Sequence, residues 1–346
     1  MSEADNANTL GELWSSARNL KGNLDESTHK HIVFGLILLK QISDNPKEQQ
    51  KLKDILPKDC CHPDLNLRRL NEFNQLLSNT KVPESEIYNY FLNEFARYEG
   101  KRAGEFYTPT CVADVLMQSL SPFSGKVYDP FCGAGGFLVQ AGGNNVSIYG
   151  QEVDELTLKI AIMNLAMNGL DGDLRKSNTF HNDLHFTLKA DFIISHPPFN
   201  FAKFGYLQDM MDHLAPDGKM GIVLTNNSLS SRIGNDSEVR KNIVENDILE
   251  CIVAMPTHLF YTMQIPVCLW FLNRNKKQKG KTLFVDARGM GKMVDRRLHE
   301  LSKGDVRRIA TAVQAFRDEK NFCVVVSTKE IAKQNYILNP WLYTKS

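Results

Sequence analysis

The stretch Asp129-Pro-Phe-Cys-Gly-Ala-Gly-Gly-Phe137 sets a carboxylate directly before a run of small residues. Cys132, Gly133, Ala134 and Gly135 allow a tight turn and a close approach of backbone to ligand that larger side chains would block. Leu138 stands where a dinucleotide fingerprint would carry its third glycine, which disfavours a nicotinamide or flavin enzyme. A carboxylate at the mouth of the turn opposes a phosphate cradle and suits a ligand that brings positive charge or hydrogen-bond donors. S-adenosylmethionine brings an ammonium and a sulfonium. Glu152 follows Asp129 at close to the roughly 20-residue spacing that sets an acid against ribose hydroxyls. Asp183 is expected to accept from the adenine amino group of the same cofactor. Turn and acids together point to a methyl-donor pocket.

Such a pocket needs a strand to end at the turn and a helix to start after it, and the pattern supplies both. Strands are expected at Val127–Tyr128, 146–149, 192–194, 221–224, 248–254 and 267–272, with helices at 137–141, 155–167, 207–214 and 238–245 between them. Alternation of this kind gives a parallel sheet covered on both faces, with the ligand beyond the carboxyl ends of the strands. The last two strands, joined by a short connection, are expected to pair antiparallel at an edge. Residues 1–98 read instead as helical, with Asp25 or Ser27 capping a helix over 29–43 and amphipathic segments over 65–77 and 85–96.

In 346 residues, 41 basic side chains almost cancel 40 acidic ones, for a net charge of +1, so bulk electrostatics will not hold nucleic acid. The longest apolar run, residues 32–39, is far short of the roughly 20 residues that cross a bilayer. Seven cysteines without an apolar leader argue against disulfides and for a cytoplasmic chain. Residues 274–281 read as a basic exposed loop. Gly280-Lys-Thr282 makes no phosphate loop, since Asn275 replaces the first glycine and a strand follows. Cys60-Cys61-His62 lacks a second ligand pair at zinc spacing, and Lys101-Arg102 is a candidate phosphate contact.

The strand at 192–194 runs into Ser195-His-Pro-Pro-Phe199, and at this motif the chain resembles the modification subunit of type I restriction-modification systems, which are adenine-N6 DNA methyltransferases. The likeness runs nearly end to end, through Leu13-Trp14, Lys21-Gly-Asn23, Lys30-His31, Gly104 to Pro109, Asp129 to Phe137, Gly150-Gln-Glu152, His213 to Pro216, Leu259-Phe-Tyr261, Gln264 to Phe271 and Tyr336-Ile-Leu338. It implies a Rossmann-like α/β domain over 99–346, with a mostly parallel seven-stranded sheet, behind an α-helical domain over 1–98. Glu105, Phe106, Tyr107, Thr108 and Pro109 would form a loop over the methionine end of S-adenosylmethionine. The target adenine would be flipped out of DNA into a pocket where Phe199 stacks on it. His196 and the carbonyl of Pro197, ahead of Pro198, would accept hydrogen bonds from its amine, which favours the nucleophilic form. Transfer is then a direct displacement at the methyl carbon, with the sulfur leaving as a thioether and no metal taking part. The resemblance also implies a specificity subunit, a restriction subunit and no membrane.

The chain departs from the family pattern where His196 replaces an asparagine. A neutral imidazole keeps one acceptor nitrogen, so the chemistry survives only in that form. The chain is also shorter after Asp44 and after Asn200, beside the expected target-base pocket, and it stops at Ser346, without the tail that docks a specificity subunit. These departures leave a catalytically silent subunit, binding cofactor or DNA for assembly or regulation, as the alternative.

Overall fold

A computed structural model describes residues 3–44, 64–99, 108–199, 204–260, 265–294, 296 and 298–344. Four helices open the chain: α1 (Glu3–Asn19), α2 (Glu26–Asp44), α3 (Leu67–Asn79) and α4 (Glu84–Glu99). Asp25 caps α2, its Oδ1 accepting from the backbone N–H of Ser27 and of Thr28, and Asn66 caps α3 by accepting from Arg69 N–H. Val33, Phe34, Ile37 and Leu38 of α2 are fully buried, and Phe34 meets Tyr88 and Phe95 of α4 at 4.4 and 5.4 Å between ring centres.

The helices α5 (Thr110–Leu120), α6 (Gly136–Ala141), α7 (Glu155–Met167), α8 (Gly205–Asp212), α9 (Asp236–Glu245), α10 (Lys303–Ala315), α11 (Thr328–Lys333) and α12 (Pro340–Tyr343) surround a nine-stranded sheet. Its strands are β1 (Gly125–Asp129), β2 (Val146–Glu152), β3 (Gly172–Lys176), β4 (Ala190–Ser195), β5 (Leu214–Thr225), β6 (Leu249–Ala254), β7 (Val267–Asn273), β8 (Lys281–Asp286) and β11 (Cys323–Ser327). The two-residue strands β9 (Lys292–Met293) and β10 (His299–Glu300) form a separate antiparallel pair. The order across the sheet is β11-β8-β6-β7-β5-β4-β1-β2-β3. The chain leaves β1 towards β2 and β3 on one side and returns to β4 and β5 on the other, all in parallel. That reversal opens a crevice beyond the carboxyl ends of β1 and β4.

Three expectations are corrected. The sheet has nine strands, not seven: β3, a half-exposed edge strand with the polar sequence GDLRK, gives no apolar period, and β8 and β11 extend the sheet past β6. The strands β6 and β7 do pair antiparallel, but inside the sheet, because β7 lies between β5 and β6, and β8 runs parallel to β6 on its far side. The 274–281 loop is exposed and basic at Arg274, Lys277, Lys279 and Lys281, as expected, but Lys276 within it is not. Lys276 is buried with its Nζ 2.6 Å from Asp247 Oδ1, the same oxygen accepts from Gly280 N–H, and Arg274 donates to the Met211 carbonyl. Gly280-Lys-Thr282 enters β8. Cys60, Cys61, His62, Lys101 and Arg102 lie outside the described residues. No helix among the described residues is long and apolar enough to cross a membrane.

The α-helical section and the sheet share a core. Ala134, Ile160, Met163 and Met167, from the glycine turn and α7, pack into the cluster formed by α1 to α4. The Tyr88 hydroxyl of α4 donates to the Ile160 carbonyl at 2.9 Å.

Candidate cofactor and target-base site

The strand β1 ends in Asp129, which is 1% exposed. Its Oδ1 accepts from the Phe131 backbone N–H at 3.0 Å and from the Ser195 hydroxyl at 2.8 Å. Burial pushes the Asp129 carboxyl up to about 7, against those two hydrogen bonds, and the nearby Glu152 adds to the rise. Past Asp129 the chain turns through Gly133 and Gly135 at φ of 51° and 78°, values that side chains tolerate poorly. A Cβ on Gly135 would also crowd Ala161, 3.3 Å away. This is why small residues occupy the turn.

Glu152 ends β2 beside the turn. One carboxylate oxygen accepts from Gly133 N–H at 3.1 Å and the other from Asp154 N–H at 2.9 Å, which fixes the carboxylate plane. Burial raises its pKa as well. Asn164 of α7 anchors the turn from behind by donating to the Ala134 carbonyl at 2.9 Å. Two buried carboxylates held, among the described residues, by backbone amides and one hydroxyl, and facing a cavity of about 420 Å³, ask for a ligand with positive charge and hydroxyl donors. The residues present fit S-adenosylmethionine.

Asp129, Cys132, Gly133, Ala134, Glu152, Thr108, His196 and Pro198 all line this cavity. Gly135 and Pro109 do not line it. Gly135 caps α6 and Pro109 heads α5. Glu105, Phe106 and Tyr107 lie outside the described residues. Asp183 is not among the residues that line the cavity. Its carboxylate accepts from His185 N–H and lies 2.8 Å from His213 Nε2. Ser177, Asn178 and Thr179 line the cavity instead, with Phe180 beside them, on the loop that follows β3. Recognising β3 would have found them, since that loop leaves the same carboxyl edge of the sheet. Asn89 and Asn93, one helical turn apart on α4, also line the cavity, so the helical section supplies part of its wall.

On the far side of Asp129, the β4 strand ends at Ser195 and delivers His196 and Pro198 to the cavity lining, which Pro197 and Phe199 do not join. His196 is 9% exposed. Its Nδ1 lies 2.9 Å from the Thr108 hydroxyl, and its ring packs against Phe199 and Phe260 at 4.8 and 5.4 Å between centres. Burial holds the imidazole at about 4, below its usual value, so the ring is neutral at neutral pH. Phe199 faces Phe260 edge-on at 5.8 Å. Phe260, from the loop after β6, belongs to the Leu259-Phe-Tyr261 stretch of the resemblance, which assigned it no place at the site.

The chain has counterparts among known proteins. The family model for N-6 DNA Methylase matches residues 84–204 and 200–346. The type I restriction enzyme HindI methylase subunit of Haemophilus influenzae is 40% identical over 297 residues, covering 74% of this chain and 67% of that protein. The MjaIX methylase subunit of Methanocaldococcus jannaschii is 32% identical over 354 residues, covering 86% of this chain and 63% of its own length. The chain thus spans about two thirds of these relatives. A type I restriction-modification methyltransferase subunit from Streptococcus thermophilus superposes with a TM-score of 0.79 over 98% of this chain and 99% of its own, at 18% identity, and so shares the fold. With the family model spanning most of the sheet and both faces of the site, the chain belongs to the N-6 DNA methylase family.

Proposed function

We propose that the chain is the modification subunit of a type I restriction-modification system, a site-specific DNA methyltransferase acting on the N6 amino group of adenine. The observation that carries this reading is the Ser195–Asp129 hydrogen bond, which sets the acidic cofactor pocket and the His196–Phe199 rim side by side across the β1/β4 crevice. S-adenosylmethionine, when bound, supplies an electrophilic methyl group. Asp129 and Glu152 would hold its cationic and hydroxyl groups, while Cys132, Gly133 and Ala134 let it approach the backbone. Asn178, and not Asp183, is the side chain at the end of the cavity that suits the cofactor's adenine. His196, neutral in this setting, offers Nε2 to an N–H of the target amine, joined by the Pro197 carbonyl, and Phe199 stacks on the base. An amine relieved of part of its N–H bond keeps its lone pair for attack, and the apolar rim excludes water.

With a net charge of +1, bulk electrostatics will not hold DNA, and choice of DNA sequence is assigned to a separate specificity subunit, with a restriction subunit as a further partner, in the cytoplasm. The chain divides into a helical unit over 1–98 and a methyltransferase unit over 99–346. Tritiated methyl transfer to DNA, with and without a specificity subunit, tests the reading. Transfer to adenine supports it, and labelled cytosine or no label with any specificity subunit overturns it. One observation favours the alternative of a catalytically silent, cofactor-binding subunit. The His196 ring packs on Phe199, the ring proposed to stack on the flipped base, and Phe260 covers both. Cofactor binding without methyl transfer, restored to transfer by His196→Asn, would identify that case.

A further inference from the structure

His196 has two ring nitrogens and the structure treats them differently. Nδ1 faces the Thr108 hydroxyl at 2.9 Å, whereas Nε2 has no hydrogen-bond partner among the described residues. Phe199 and Phe260 pack against the ring, and among the described residues no second polar side chain bonds to it. A neutral imidazole carries one proton, and the bond made by one nitrogen decides whether the other donates or accepts.

Two arrangements are open to such a pair. If the hydroxyl donates to Nδ1, the proton sits on Nε2, which then presents an N–H and cannot accept from an amine. If Nδ1–H donates to the hydroxyl oxygen, Nε2 is left with a lone pair. Thr108 also lines the cofactor cavity, so in the second arrangement its own proton can point to an acceptor there.

We infer that Thr108 is the positioning residue that sets the tautomer of His196, its oxygen accepting from Nδ1–H so that Nε2 meets the target amine as an acceptor. This rests on the methyltransferase reading for its purpose, but not for its test. The pair does what an asparagine amide does alone: it aims one acceptor at the amine. It does so with two residues, one from the segment ahead of α5 and one from the end of β4. The loop holding Thr108 and the loop holding His196 are therefore tied at the point where cofactor and base pockets meet.

The test is 15N NMR of the imidazole ring in the full-length chain, free and with S-adenosylhomocysteine, for the native protein, Thr108→Val and Thr108→Ser. A protonated Nδ1 and an unprotonated Nε2 are expected in the native chain and in Thr108→Ser. Thr108→Val, which keeps the shape and removes the oxygen, should give a mixed or reversed tautomer. In methyl transfer, Thr108→Val should lower kcat by roughly 10-fold or more, about 1.4 kcal/mol per factor of ten, and Thr108→Ser should restore most of it. A proton on Nε2 in the native chain bound to S-adenosylhomocysteine, or an unchanged tautomer in Thr108→Val, overturns the assignment. The expected tautomer in a chain that transfers no methyl group leaves the Thr108 assignment standing and removes the catalytic reading instead.

Discussion

The Ser195 hydroxyl donates to Oδ1 of Asp129 at 2.8 Å, so the last residue of β4 holds the last residue of β1. The bond crosses the place where the order of strands reverses, and both residues are buried. It fixes the acid of the cofactor pocket relative to the residue that precedes His196, and so couples two half-sites through one oxygen.

Removing that hydroxyl in Ser195→Ala takes a hydrogen bond from a buried carboxylate, worth about 1.5–3 kcal/mol. The Asp129 carboxyl should become harder still to ionise. Affinity for S-adenosylmethionine at neutral pH should fall by roughly 10- to 100-fold, at about 1.4 kcal/mol per factor of ten. Calorimetry reads this directly, and a parallel melting curve separates it from unfolding. An unchanged affinity would mean that Asp129 does not serve the ligand as a carboxylate.

The raised pKa of Asp129 has a consequence for stability with a definite sign. Its ordinary value is 3.8 and the folded value about 7, so between them the folded chain keeps a proton that the unfolded chain has released. The stabilisation is fully present below the ordinary value and is lost as pH rises through about 7. Glu152 shifts in the same direction. The cofactor-free chain should therefore lose melting temperature from mildly acid to neutral pH. A cationic ligand favours the ionised acid, so its stabilising effect should grow over the same interval. Melting curves from pH 5 to 8, with and without S-adenosylmethionine, check both slopes, and Asp129→Asn should flatten the first.

What the sequence made legible follows from where the signal was apolar. The helix over 155–167 was read closely because it is a long and largely apolar run, buried over most of 158–167, and the strands on both sides of the glycine turn because they too end in buried residues. The strand β3 was missed because an edge strand with half-exposed polar residues carries no such apolar signal. Its loss hid Asn178, which lines the cavity, and left Asp183, which bonds to His213, as the acid the sequence offered. Lys276 was misread for a different reason: a lysine among lysines looks solvated until the fold sets Asp247, at φ 57°, against it. Phe260 and Asn93 reach the site from distant segments, and no local spacing announces that.

The shared core predicts how the proposed units behave apart. Ala134, Ile160, Met163 and Met167 are buried against the helical section, and Tyr88 bonds to the Ile160 carbonyl. A chain of residues 99–346 alone would expose these side chains at about 25 cal/mol per Å² of apolar surface uncovered. It would also lose Asn89 and Asn93 from the cofactor cavity. Such a fragment should bind hydrophobic dye, aggregate on gel filtration and lose cofactor affinity relative to the full chain. A monomeric fragment that binds S-adenosylmethionine as tightly as the full chain would show that the helical unit is dispensable for the site.

The pH profile of methyl transfer distinguishes a buried histidine from an exposed one. An unperturbed imidazole titrates near roughly 6.5, which would cut the rate at mildly acid pH, since only the neutral ring can accept from the amine. Burial among Phe199 and Phe260 holds His196 at about 4 instead. The competent form should therefore persist, and no loss due to His196 should appear between pH 8 and roughly 5.5, more than one unit above that value. For stability the sign is set by the unfolded chain, which takes up a proton below its own pKa while the folded chain does not. The contribution is present above 6.5 and is lost as pH falls towards about 4. His196→Asn should keep an acceptor, transfer at least as fast, and remove the acid-side loss of stability, whereas His196→Phe should abolish transfer and leave cofactor binding in place. Initial rates across pH for the native chain and both variants, with melting curves in the same buffers, check each statement. A native rate that halves near pH 6.5 and does not do so in His196→Asn would place the ring in solvent, contrary to its packing.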